Sequence, residues 1–315
     1  MRPAQSVLAR ISFALLVTSI LVSALLWATP AQAQSLVDKL QSATGKVANE
    51  KHTLRYKFNA NENLYYEVVH QSAVETTVDG NSQKLKSRSK SLKKWEFKSV
   101  EVDGSTTFTH AVDFVDMWSE TDGRAPVHYD SRSDGEVPPE YGKLAATIGE
   151  PISQVRASTS GKVLDRKDTI KQLDRGTGGL LIPLPEEAVS IGAEWATPSS
   201  VTVTLKDSRQ KAIKTRVRYR LEKVESGIAT ISVLTQVLSP VSDARVKSQL
   251  LQKLSKGEIK FDMDAGRMVS KTLDWDETVI GFNGPASSMS ILQRMTERLV
   301  PSAEVASLQK PGDQK

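Results

Sequence analysis

From Thr53 onward the chain alternates apolar and polar residues with a period of two. Leu54, Tyr56 and Phe58 fall on one side, and Leu64–Val78 is rich in Tyr, Val and Thr. That period belongs to half-buried strands. Asp79-Gly80-Asn81 marks a turn, and Lys94–Val102 and Ser105–Trp118 form a further pair joined at Asp103-Gly104, a dipeptide suited to tight hairpins. Pro138–Glu150 is compatible with a short helix. Ile152–Ala157 and Lys162–Arg166 flank a turn that ends at Gly161.

The same texture returns further on. Val201–Leu205 alternates, and in Arg216–Leu221 the three arginines point one way while Val217, Tyr219 and Leu221 point the other. Ala229–Val237 places Ile231, Val233 and Val237 on one face. One covered and one solvated face is the mark of antiparallel sheet. Ser242 is placed to cap a helix carrying Val246, Leu250, Leu251 and Leu254, with Gly257 at its C-terminal end. The predicted fold class is therefore mainly β (a β-rich α+β protein), with curved antiparallel sheets in two similar halves and a few short helices. The halves span 53–174 and 183–300, joined by a linker at 175–182 around the Gly-rich stretch Asp174–Gly179. A polar lead-in covers 34–52, and 301–315 is polar and expected to be disordered.

The halves also match in order. Trp95–Val100, Asp103-Gly104 and Phe108–Phe114 correspond to Tyr219–Val224, Ser226-Gly227 and Ala229–Val237. Ile152 through Gly161-Lys162-Val163 then corresponds to Ile259 through Gly266-Arg267-Met268. An internal repeat explains this order, and so does the periodicity common to all strands.

The first 33 residues follow a different rule. Arg2 and Arg10 form a basic region, Ile11–Trp27 is apolar and uncharged, and Pro30 precedes Ala31-Gln32-Ala33. This is the pattern of a secretory signal peptide cut between Ala33 and Gln34, which implies a periplasmic or extracellular protein with no transmembrane segment after cleavage. An uncleaved anchor is the alternative; internal serines and a threonine, and no basic cluster after the stretch, speak against it. Over the whole chain, 39% hydrophobic and 25% charged residues describe a globular protein. The absence of cysteine excludes disulfides, thiolate chemistry and lipoprotein acylation. Cleavage would leave 40 basic against 37 acidic residues, a surplus too small to predict a nucleic-acid partner.

Few stretches hint at chemistry. Phe261-Asp262-Met263-Asp264-Ala265-Gly266-Arg267 opens like a calcium loop, but its fifth position is Gly266 and its twelfth is Leu273, where oxygen ligands are required. It fits a hairpin better, with a turn over Asp264-Ala265, Gly266 left-handed, and Phe261 facing Val269. In Lys84–Lys94, the residues Lys84, Lys86, Arg88 and Lys90 share one face of an extended segment. They form either a docking strip for anionic glycans or lipid headgroups, or an edge strand guarded by lysines. His52, His70, His110 and His128 lack zinc-site spacing, there is no nucleophile elbow, and no phosphate-binding or cofactor loop is present. Asp274 and Asp276 share one face of a strand, as a glycosidase acid pair can, with Trp275 pointing the other way to the core. Trp95, Trp118, Trp195 and Trp275 are candidates for a carbohydrate platform or for core packing.

Two segments bring a resemblance. Leu184–Trp195 has the form L-P-x-x-x-V-x-x-G-x-x-W, and Gly257–Met268 is followed by Val279-Ile280-Gly281-Phe282-Asn283-Gly284. Together they resemble a family of uncharacterised exported bacterial proteins, a domain of unknown function common in planctomycetes. The resemblance spans Thr53 to Val300 and implies compartment and fold class, without catalytic residues. More remotely, the pattern is similar to the lipoprotein-carrier fold of the bacterial envelope. The reading at this level is a non-enzymatic exported protein, without a cofactor, that binds a ligand or partner on a curved sheet. Lipid or an anionic envelope polymer is the expected partner class. A hydrolase of envelope glycans using Asp274 and Asp276 is the alternative.

Overall fold

In the computed structural model, residues 50–170 and 180–310 are described. The expected signal peptide with its Ala33–Gln34 cleavage point, the lead-in up to residue 49, linker residues 175–179 and residues 311–315 lie outside them. β1 (Lys51–His52) pairs with β8 (Val189–Ser190) in a two-stranded sheet. The remaining strands are β2 (Asn63–Val78), β3 (Asn81–Val100), β4 (Thr106–Thr121), β5 (Val127–Asp130), β6 (Pro151–Ala157) and β7 (Val163–Asp168) in the first half. The second half holds β9 (Glu194–Thr204), β10 (Gln210–Glu225), β11 (Ile228–Val237), β12 (Lys256–Asp262), β13 (Arg267–Ile280) and β14 (Ser288–Val300).

These twelve strands form one curved antiparallel sheet in the order β7-β6-β4-β3-β2-β14-β13-β12-β11-β10-β9, with β5 attached to β4. The protein is mainly β, as the alternation predicts. The two blocks are hydrogen-bonded to each other along β2 and β14, from Tyr65 opposite Val300 to Thr77 opposite Ser288. The period-two pattern gives every strand an inner face. Across neighbouring strands it carries Tyr219, Val233, Leu273, Met295 and His70 in one row, with Ile231, Ile259, Lys271, Glu297 and Val68 in the row next to it.

The core fills one end of the sheet. Phe261, Tyr56, Phe58, Phe97, Phe108, Trp95 and Tyr66 form a continuous run of rings whose successive centroids lie 4.9–5.5 Å apart. Strand ends of both halves contribute to this cluster. Aromatic pairs at such separations add to the area they bury. Leu54, Tyr56 and Phe58 alternate as the sequence suggests, yet 53–59 forms no strand. The segment is extended and inserted as a plug, with Leu54 and Tyr56 buried. Tyr56 donates its backbone N–H to Thr159 O at 2.7 Å, and Lys57 donates its own to Gly266 O at 2.9 Å. Period two reports burial on alternate residues, and an extended plug shows it as a strand does.

Among the described residues three short α-helices decorate the sheet: α1 (Gly142–Ala145), α2 (Ala244–Leu250) and α3 (Ser302–Leu308). The cap of α2 is Asp243, whose carboxylate accepts from Arg245 N–H at 2.8 Å, rather than the expected Ser242. Gly257, expected to end that helix, lies instead in β12, where a Cβ would fall 1.9 Å from Thr272 O. The expected disorder of 301–315 is corrected for Ser302–Leu308. There Val305 packs on Leu92, Phe114 and Val300, and Glu304 pairs with Arg298 at 2.6 Å. A seven-residue helix with one buried side chain is too short to show an apolar period in a polar stretch.

Candidate functional site

Beyond the aromatic end, the inner face of the second half does not close on itself. A cavity of about 690 Å³ lies against β9–β14 and β2. Val217, Tyr219, Val233, Ile259, Leu273 and Met295 give it an apolar wall, and His70, Thr215, Thr235, Gln293 and Trp275 add polar groups. At the far strand ends α2 crosses the inner face. Val246 and Leu250 pack on Val203 and Ile213, while Leu251, just after the helix, packs on Val279 and Ile291. Gln249 holds the helix to the end of β9: its carbonyl accepts from Thr204 N–H and its amide donates to Thr204 O, each at 2.8 Å.

A buried charge cluster borders the cavity. Glu297 is 2% exposed and Lys271 6%. Lys271 Nζ lies 2.6 Å from Glu297 Oε2, and Lys93 Nζ contacts Oε1 of the same carboxylate. Lys93 also stands over the rings of Trp95 and Tyr66, at 5.3 and 5.7 Å from their centroids. Burial opposes ionisation of Glu297, but the two ammonium groups outweigh it and hold the carboxyl down to about 2. Burial also lowers Lys93, against the pull of Glu297. Of the three groups, only Lys271 lines the cavity. Burial lowers His70 as well, and its ring meets Trp275 edge-on at 6.2 Å.

Farther along the inner face, His110 lies between Trp95 on β3 and Ser153 on β6. Both ring nitrogens of His110, Trp95 Nε1 and Ser153 Oγ are buried without a hydrogen-bond partner among the described residues. Burial, reinforced by Lys93 and Arg166, lowers His110 to about 3.

The residues singled out in the sequence stand elsewhere. Lys84, Lys86, Arg88 and Lys90 project from the outer face of β3. The edge-strand expectation is corrected, because β3 is paired with β2 on one side and β4 on the other. Lys84 pairs with Glu75 at 3.3 Å and Lys90 with Glu67 at 2.8 Å, while Lys86 and Arg88 are exposed. Asp274 and Asp276 also face outward. Asp274 is held by Arg294 at 2.6 Å, Asp276 is exposed, and neither lines the cavity. Trp275 does point inward, to the cavity. Trp95 is core, Trp195 stacks on Tyr219 and donates to Pro183 O at 2.8 Å, and Trp118 lies opposite the outward Arg88, so the four tryptophans form no common platform.

The hairpin at Asp262–Arg267 is present with Gly266 at φ +62°, but Phe261 pairs with Met268 instead of Val269, because a bulge follows Lys260. Asp262 caps its own turn, accepting from Ala265 N–H at 2.7 Å.

Sequence reasoning missed the Lys93–Glu297–Lys271 cluster, although each member betrays itself locally. Lys93 shares the parity of Trp95, Lys271 that of Leu273 and Trp275, and Glu297 that of Met295 and Leu299. A charged residue in the core-facing phase of a strand is the readable signal.

No known protein family matches this chain, and no curated protein does. Solved structures are similar only remotely. One, on lipid–protein interactions in lipovitellin, has a TM-score of 0.43 at 10% identity and covers 82% of this chain. The chain spans 26% of that lipovitellin chain. DynF, from the dynemicin biosynthesis pathway of Micromonospora chersina, gives 0.21 at 6% identity over 82% of this chain and 90% of its own. A DUF1329 family protein from Desulfovibrio piger gives 0.12 at 10% identity, over 72% and 83% respectively. Among the described residues no helix is long and apolar enough to cross a membrane.

Proposed function

We propose that this protein is an exported, non-enzymatic binding protein that holds a lipid in the curve of its sheet. The observation that carries the reading is the cavity of about 690 Å³, with an apolar wall running from Val217 to Met295 and polar groups at a few defined points. Its volume and mixed lining suit a small amphiphile. Sheet curvature, the aromatic plug at one end and α2 at the other support a bounded chamber rather than a flat binding face. The signal-like first 33 residues support export. In this reading the outward Lys84–Lys90 row is a solvated face balanced by Glu75 and Glu67.

Native mass spectrometry of protein purified from its own envelope tests the proposal. A co-purifying lipid, lost on mutation of the wall (Val233→Trp), is the expected result. Protein that carries no amphiphile, and takes up none from mixed-lipid vesicles, would overturn it.

A further inference from the structure

We infer that the bound lipid is a monoanionic amphiphile, of the fatty-acid type, whose carboxylate is received by Lys271. This rests on the reading above and names the ligand class for the same cavity. The buried cluster holds two ammonium groups and one carboxylate. Glu297 touches both Lys93 and Lys271, so the interior carries a cation more than it neutralises. The surplus is available at one place only. Lys93 is enclosed by Tyr66 and Trp95, whereas Lys271 borders the cavity.

The other lining residues point the same way. Among the described residues they include a second lysine, Lys253, and no Asp or Glu. The indole N–H of Trp275, also on the cavity wall, is buried and has no acceptor among the described residues. A chamber that offers donors beside a buried cluster of two ammonium groups and one carboxylate favours an anion over a neutral or cationic headgroup, because desolvated charge must be paired. The apolar wall of Ile259, Leu273 and Met295 flanks Lys271 in the adjoining strand positions, so an acyl chain can follow a headgroup seated there.

The arrangement also makes the inference testable without dismantling the fold. Removing the Lys271 charge leaves Glu297 paired with Lys93, one carboxylate to one ammonium. The experiment titrates delipidated full chain with palmitate and, separately, with hexadecanol, which has the same chain and a neutral headgroup. Wild-type protein should bind palmitate at least about tenfold more tightly, equivalent to about 1.4 kcal/mol. Lys271→Met should reduce palmitate to the level of hexadecanol, while Lys271→Arg should retain the preference.

A second readout needs no variant: carboxyl-labelled palmitate bound to wild-type protein, followed by NMR, should titrate at a lower pH than it does free in a neutral micelle. Equal binding of acid and alcohol by wild-type protein, a preference that survives Lys271→Met, or an unshifted carboxyl titration would each overturn the headgroup assignment with lipid binding intact. Failure of both compounds to bind would instead overturn the lipid-binding reading itself.

Discussion

Lys57 donates its backbone N–H to Gly266 O at 2.9 Å, and so ties the turn between β12 and β13 to the plug that fills the sheet. Tyr56, the residue before it, does the same for Thr159 in the turn between β6 and β7. Two turns from different halves are thus held by consecutive amides. The approach is close enough to demand glycine. A Cβ on Gly266 would fall 2.5 Å from Lys57 N, and one on Gly161 would fall 2.3 Å from Ile182 O, both at positive φ. Gly161→Ala and Gly266→Ala should each destabilise by about 2–3 kcal/mol, left-handed strain and backbone clash together. Gly80→Ala, at φ +78° with open space around it, should lose only about 1 kcal/mol. Equilibrium urea unfolding of the three variants checks the ranking.

The buried cluster predicts an asymmetry between its members. Glu297→Gln leaves Lys93 and Lys271 facing each other without a counter-ion and should cost about 3–5 kcal/mol. Lys271→Met removes the surplus charge and should cost far less. If both variants unfold at the same urea concentration, the carboxylate is not the hub of the cluster.

Acid should weaken the fold earlier than carboxylate titration alone would. His110 is lowered to about 3 in the folded chain, against about 6.5 when unfolded. Between these values the unfolded state binds the extra proton, so stability is complete above about pH 6.5 and is lost as pH falls. One proton gives a slope of about 1.4 kcal/mol per pH unit. His70, lowered by burial, adds in the same direction. Glu297 contributes only below about pH 4.3, where its unfolded form begins to protonate while the folded one, at about 2, does not. His110→Gln should therefore flatten the stability profile between about pH 6.5 and 4.5, measured by denaturant midpoints across that range.

Asp274→Asn and Asp276→Asn should leave ligand binding and the thermal midpoint unchanged, since both side chains face away from the cavity. Any loss of lipid binding in either variant would contradict the assignment of the inner face as the binding surface.

Much of the sheet could be read from residue order, because alternation is a direct record of which face is covered. Tyr219 and Leu221, Ile231 and Val233, and the inward turn of Trp275 all follow from it. What alternation cannot report is which strand lies beside which. Thus Lys84–Lys90 suggested a guarded edge although β3 is central, and Leu54–Phe58 suggested a strand where the chain forms a plug. The candidate site was hidden for a related reason. Lys93, Lys271 and Glu297 are distant in sequence and meet only through the β3–β2–β14–β13 order. The DMDAG segment attracted attention because its carboxylates are close in sequence, yet Asp262 serves its own turn.

The ladder between β2 and β14 has a further consequence. It pairs His70 with Met295, both on the cavity wall, so the cavity takes its walls from strands far apart in the sequence. A chain that emerges N-terminus first can assemble β2, β3 and β4 from local contacts, but its chamber does not exist until the last strand docks. On the proposed reading a ligand can enter only after β14 has docked on β2, so occupancy of the chamber would report that the two blocks of strands have joined.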